Sequence, residues 1–199
     1  MGQLNGVHHL ALMTADVKEQ IEFFSDVLGM KLKALYWMHN VDGFFHAFME
    51  LNKSCSVAFV QAPPVKDIPM EYGVTHAGNP VKPCAAGVMQ HLAFNCDSDD
   101  ELLNMRDRIR AKGVRVLGPL DHGFCKSIYF GGPENLVLEV STSNHIGIDE
   151  NASNGARAEN DLRYLKSGVA IWSVLHCCPS IGGQAPPGTD PLGYICPFV

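Results

Sequence analysis

The chain repeats itself, and the repeat limits what it can fold into. Gly6-Val7-His8-His9-Leu10-Ala11-Leu12 returns as Gly87-Val88-Met89-Gln90-His91-Leu92-Ala93-Phe94. Both segments are short, apolar and alternating, the pattern of a half-buried strand. An acidic turn and an amphipathic helix follow each one. In the first copy Asp16 is the expected N-cap, Ile21, Phe24, Val27 and Leu28 share a face, and Gly29 ends the helix. In the second, Asp97-Ser98-Asp99 opens a helix carrying Leu102, Leu103, Met105 and Ile109, which stops at Gly113. Three more strands are expected per copy: 31–37, 44–51 and 54–60, then 114–117, 126–130 and 136–140. A single four-stranded module leaves one sheet face bare, so two such modules must pair and enclose a space between their sheets. The expected fold class is α+β, two paired βαβββ modules, with the first over 1–62, a Pro- and Gly-rich linker over 63–86 and the second over 87–143. Residues 144–199 lose periodicity and are expected to form a poorly structured C-terminal extension.

Composition narrows the partners. Fifteen Lys and Arg against 21 Asp and Glu leave a net charge of −6, the wrong sign for nucleic acid or an anionic membrane. There is no apolar run of about 18 residues to span a bilayer. Met1-Gly2-Gln3-Leu4-Asn5 lacks the basic-then-apolar pattern of a secretory leader. The seven cysteines include no C-x-x-C pair, so reduced thiols and a cytoplasmic location are expected.

The chemistry-bearing residues follow from the repeat. His9 and His91 occupy the same point of the opening strand of each module, and Glu139 interrupts the apolar strand Leu136-Val137-Leu138-Glu139-Val140. A carboxylate buried there needs a partner. Two imidazoles and one carboxylate suit Fe(II) or Mn(II) and leave coordination positions open. Of His8 and His9, the residue directly before Leu-Ala corresponds to His91, so His9 is the expected ligand and alternation turns His8 to the other face.

The paired modules, the His-Leu-Ala openings and Phe23-Phe24…Leu28-Gly29-Met30 resemble the vicinal oxygen chelate superfamily. That group includes glyoxalase I, fosfomycin-resistance thiol transferases, methylmalonyl-CoA epimerase and type I extradiol dioxygenases. The resemblance covers about residues 5–142, and it implies a metal held between the sheets, matching His9, His91 and Glu139. Glyoxalase I would need a second glutamate on the last strand of the first module. Ser54-Cys55-Ser56-Val57-Ala58-Phe59-Val60 offers none, and Glu50 reads as a strand-end charge.

The stretch from His122 through Ile128-Tyr129 and Pro133 to Glu139 is similar to the extradiol dioxygenase motif, closest to the one-domain type I enzymes. It departs from that motif at turn positions, with Leu120 two before the histidine, Gly132 before Pro133, and Asn135 where Gly is usual. His76 stands 15 residues before His91, where such enzymes place an acid–base histidine. The resemblance implies that Tyr129 orients the catecholate. It also implies that His76 stabilises activated dioxygen and supplies a proton, while His122 bonds the substrate or holds Tyr129. Each also has a plainer reading: a loop histidine, a core tyrosine, a turn residue. Phe44, Phe45, Phe48, Phe59, Trp37 and Phe124 can wall an aromatic pocket or simply fill the core.

The expected activity is extradiol cleavage of a catecholic ring such as a 2,3-dihydroxybiphenyl-like compound. The partners would be a small aromatic diol and O₂, the cofactor Fe(II) or Mn(II), and the assembly a homo-oligomer. The alternatives are another chemistry of the superfamily on the same three ligands (thiol transferase, epimerase or glyoxalase-like lyase) and a non-catalytic binder of aromatic ligands.

Overall fold

Each helix forms where the chain supplies a cap at one end and a glycine at the other. The computed structural model describes residues 2–122 and 125–143; the expected C-terminal extension lies outside them. The elements run β1 (His9–Thr14), α1 (Val17–Asp26), β2 (Lys31–Trp37), β3 (Phe45–Glu50) and β4 (Ser56–Gln61). They resume as β5 (Leu92–Asn95), α2 (Asp99–Ala111), β6 (Val116–Asp121), β7 (Lys126–Gly131) and β8 (Val137–Thr142). Asp16 Oδ1 accepts the Lys18 and Glu19 amides at 2.9 and 3.1 Å, and Ser98 Oγ accepts the Glu101 amide at 3.2 Å. Gly29 follows α1 with a φ of 78°, and a Cβ there would lie 3.0 Å from the Arg108 guanidinium. Conformation and space therefore both require glycine.

The two modules repeat one topology. The first sheet has the order β1-β4-β3-β2 and the second β5-β8-β7-β6. In each, the first strand pairs in parallel with the last and the other pairs are antiparallel. The two-module α+β architecture read from the repeat is therefore present. The main difference falls at β6, expected over 114–117. The strand starts later and runs through Gly118-Pro119 to Asp121, with a register shift between Leu117 and Leu120. It is an edge strand, where proline removes no ladder bond that a neighbour needs.

One face of each sheet carries the core. Phe24, Val27, Phe59 and Met49 from the first module join Phe94, Leu102, Ile109, Ile128, Phe130, Leu138 and Val140 from the second in one buried cluster. Phe24 is fully buried, with its ring 4.9 Å from that of Phe59 and 6.4 Å from that of Phe94. Phe59, a candidate pocket wall by sequence, is likewise fully buried. It alternates onto the core face of β4, so it fills the core.

Polar contacts tie the modules together at both ends of α1. Glu134, in the turn before β8, accepts the Ala15 amide at 2.6 Å and the Gln20 side-chain amide at 2.7 Å. At the other end Arg108 of α2 donates to the Val27 and Asp26 carbonyls at 2.7 and 3.2 Å. No helix among the described residues is long and apolar enough to cross a membrane.

Two stability changes follow. Phe24→Ala should cost about 3–5 kcal/mol, the range for a buried aromatic truncated in a packed core. Glu134→Ala, which strips a charged acceptor from two donors, should cost about 1–3 kcal/mol. Urea midpoints at constant slope check both.

Candidate functional site

The core uses one face of each sheet; chemistry is left to the other. On β8 the residues alternate, with Leu138 and Val140 toward the core cluster and Glu139 and Ser141 away from it. Across the ladder Glu139 pairs with Tyr129, Ser141 with Ser127, and on the parallel side Glu139 pairs with Ala93. His91 lies just ahead of β5, and its contact with Glu139 puts its ring on that side.

These side chains form a connected network. His91 Nε2 lies 2.9 Å from Glu139 Oε2. The Ser141 hydroxyl donates to Glu139 Oε1 at 2.5 Å and lies 2.8 Å from the Ser127 hydroxyl. Tyr129 Oη is 3.1 Å from His122 Nε2, and its ring meets that of His91 edge-on. Glu139 is only 5% exposed, and it is met by the His91 imidazole, the Ser141 hydroxyl and the Tyr129 phenol. Burial, and next the charge of Glu139 and hydrogen bonding to it, push the Tyr129 phenol up to about 12; the Ser127 hydroxyl pulls the other way. Tyr129 is thus a neutral O–H donor beside a carboxylate across the whole physiological range.

The first module presents a different face. His9 lies among His8, His46 and Phe48, with ring centroids 5.1, 6.4 and 5.4 Å away. His8 Nδ1 and His9 Nδ1 are 2.9 Å apart. Alternation had placed these imidazoles on opposite faces, but β1 begins only at His9, so His8 is outside the pleat and folds back onto its neighbour. The register also shows what is missing. Ala11 pairs with Ala58 as Ala93 pairs with Glu139, so Ala58 stands where a second carboxylate would be. Glu50 is the last residue of β3, opposite Lys31.

The six residues singled out by sequence therefore divide. His91, Glu139, Tyr129 and His122 come together. His76 lies in the linker, half-buried, with its Nδ1 2.9 Å from the Thr75 hydroxyl and its backbone carbonyl accepting the Gly73 amide. That loop is tied to the second module by the Tyr72 hydroxyl, which donates to Asn135 Oδ1 at 2.7 Å. His9 stands with its own module. Among the described residues no group of three or more His, Cys, Asp or Glu side chains is gathered for a metal. The His91–Glu139 pair fits a divalent cation only in its donor types, an imidazole nitrogen and a buried carboxylate oxygen; here the two satisfy each other at 2.9 Å.

Sequence reading passed over three participants. Ser127 and Ser141 were visible as polar residues at every second position of two paired strands. His46 sits two before Phe48 on β3, with Nδ1 3.4 Å from the Tyr36 hydroxyl and a buried Nε2. Burial, then His9, lowers its pKa. Of the candidate aromatic walls, Phe48 lies beside His9, Phe45 joins the core margin against Trp37, and Phe124 lies outside the described residues.

The family model for the Glyoxalase/Bleomycin resistance protein/Dioxygenase superfamily matches residues 6–140. The chain belongs to that superfamily. A biphenyl-2,3-diol 1,2-dioxygenase of Rhodococcus globerulus is 32% identical over 78 residues, which is 39% of this chain. The aligned part spans only 40% of that relative's length. Among solved structures, a superfamily domain from Frankia sp. EAN1pec superposes with a TM-score of 0.55 at 17% identity, covering 71% of this chain and 99% of its own. An antibiotic-binding protein, TnmS3, from Streptomyces sp. CB03234 superposes with a TM-score of 0.50 at 16% identity, over 72% of this chain and 99% of its own. Both likenesses concern the superfamily fold.

The Tyr129 phenol makes a pH-dependent contribution whose sign is fixed. Its folded value near 12 exceeds the unfolded value of about 10, so the folded chain holds that proton more tightly. The stabilisation is complete below about pH 10 and is lost as pH rises from 10 towards 12. In Tyr129→Phe the fall in urea midpoint between pH 9 and 11.5 should be shallower. The phenolate absorbance step near pH 12 should also disappear.

Proposed function

We propose that the chain is an extradiol dioxygenase that opens a catecholic ring, such as that of a 2,3-dihydroxybiphenyl-like compound, beside its paired hydroxyls. The observation that carries this reading is the neutral Tyr129 phenol, set between His122 and Glu139 on the open face of the second sheet. The partial match to a protein named for biphenyl-2,3-diol cleavage supports the same substrate class. In the reaction both atoms of O₂ enter the product and one ring carbon–carbon bond is cut, so no external reductant is consumed.

His91 and Glu139 would hold an Fe(II) or Mn(II) ion from the second module, and His9 would complete a 2-His-1-carboxylate set from the first. Such an ion supplies a Lewis acid that acidifies a catechol hydroxyl and a centre that takes up O₂. The protein's own groups do the rest. Tyr129 donates its proton into a hydrogen bond with a catechol oxygen, and burial of the phenol, ahead of the Glu139 charge, disfavours the phenolate. His122 holds the Tyr129 hydroxyl in line. His76 moves a proton at the substrate or oxygen from the linker side, a task suited to an imidazole near neutral pH.

A second reading, metal-free binding of an aromatic ligand, is favoured by the placement of His9 beside His46 and Phe48, with no third metal-ligating side chain gathered at His91 and Glu139 among the described residues.

Oxygen uptake after anaerobic loading with Fe(II), using simple and biphenyl-type catechols, separates these readings. One O₂ consumed per diol with a yellow ring-opened product is expected. Glu139→Ala should lose the metal. Tyr129→Phe or His76→Ala should keep it and slow turnover by about 10² or more. Metal bound without uptake moves the assignment to a thiol transferase, epimerase or lyase. Tight catechol binding with no metal retained moves it to a binding protein.

A further inference from the structure

The open face of the first sheet is not all aromatic. At one end of it lies a cavity of about 300 Å³ lined by Asn5, His8, Lys33, Lys53, Ser54 and Ser56. These residues come from the approach to β1, the middle of β2, and the β3–β4 turn with the first residue of β4. Ser56 stands opposite His9 in the ladder, so the cavity adjoins His9. Lys33 reaches it through a bulge. Lys31 and Leu32 pair with Glu50 and Met49, and Ala34 pairs with Phe48, which leaves Lys33 as the extra residue. A bulge re-aims the side chain it carries. Here it lets Lys33 and Tyr36, three residues apart and on opposite faces of a regular strand, serve the same face.

Charge decides what the cavity can hold. Two lysines line it and no carboxylate does; Glu50 stands opposite Lys31. Among the described residues the ion pairs engage Lys18, Arg106 and Lys126, not Lys33 or Lys53. Two ammonium groups on one concavity focus a positive field there. Beside it, Tyr36 stacks on Phe48 with ring planes 14° apart, and the Phe48 ring lies 4.3 Å from that of His46 and 5.4 Å from that of His9. The buried His46 Nε2 has no hydrogen-bond partner among the described residues, and a ring hydroxyl would supply one.

We infer that Lys33 and Lys53 form an anion subsite on the open face of the first sheet, which takes a carboxylate carried by the aromatic diol while the ring lies against Phe48 and His46. The inference rests on the proposed diol substrate and narrows it to acidic catechols; the cavity and its charge do not depend on ring cleavage.

The test uses the full chain, free of metal and in low salt, with two probes of the same ring: a dihydroxybenzoate and its methyl ester. By calorimetry the acid should bind about 10-fold or more tighter than the ester, the weight of one charge-assisted hydrogen bond. In the double variant Lys33→Gln, Lys53→Gln the acid should fall to the affinity of the ester. The ester, which also reports that the face is intact, should bind as before. Equal affinity of acid and ester in the native chain, or binding of neither, overturns the inference. So does a preference that survives the double variant, because the carboxylate then sits elsewhere. Inorganic phosphate separates a free oxyanion from a substrate group. If its binding depends on the two lysines while acid and ester bind alike, the cavity serves a separate anion and the substrate assignment is overturned. An acid preference that the lysines control, in a chain that consumes no O₂ with any catechol, keeps the subsite and sinks ring cleavage alone.

Discussion

The fold depends on how the second module grips the first helix. Glu134 meets the N-terminal end of α1, where amide protons and the helix dipole favour a negative charge, and Arg108 meets its C-terminal carbonyls. Each grip is a charge-assisted hydrogen bond worth about 1.5–3 kcal/mol. Together they place one helix, and through Phe24 one sheet, against the other. Glu134 stands five residues before Glu139, so the turn that holds the first module leads straight into the strand that carries the carboxylate. Asn135 beside it receives the Tyr72 hydroxyl from the linker. Three segments far apart in sequence are thus brought to one turn. Glu134 and Asn135 both adopt left-handed conformations, with φ of 53° and 62°, which for a residue like glutamate costs on the order of 1 kcal/mol and persists only where contacts over-determine it.

That turn explains a departure in the sequence. The resembling motif has Gly where this chain has Asn135, whose backbone is left-handed here, a conformation glycine adopts freely. Asn tolerates the conformation better than other side chains, and here its oxygen also accepts the linker tyrosine. A change that reads as a weaker match is a different solution to the same backbone requirement, with an added tether.

Much of the architecture was legible because it follows from local rules. The repeat announced two equal modules. Asp16, Ser98, Gly29 and Gly113 marked the helix ends, and alternation on β7 and β8 put Tyr129 and Glu139 on one face. The contact between His91 and Glu139 follows from the repeat and the parallel pairing of first and last strands. The surroundings of His9 were less legible. Whether it meets the other two depends on the separation of the sheets, which α1 and its distant partners set. His8 misled because alternation was applied one residue before the strand begins.

The strict two-residue period of β7 and β8 separates two kinds of selection. Ile128, Phe130, Leu138 and Val140 answer to packing, whereas Ser127, Tyr129, Glu139 and Ser141 answer to chemistry. Because consecutive residues point to opposite faces, the second set can be rewritten with little effect on the first. The duplicated sheet shows the outcome within one molecule. At matching register points, Phe48 stands for Tyr129, Ala58 for Glu139 and His46 for Ser127. Both faces rest on the same kind of helix-packed core, so one scaffold has diverged twice, and its reactivity can be edited almost independently of its ability to fold.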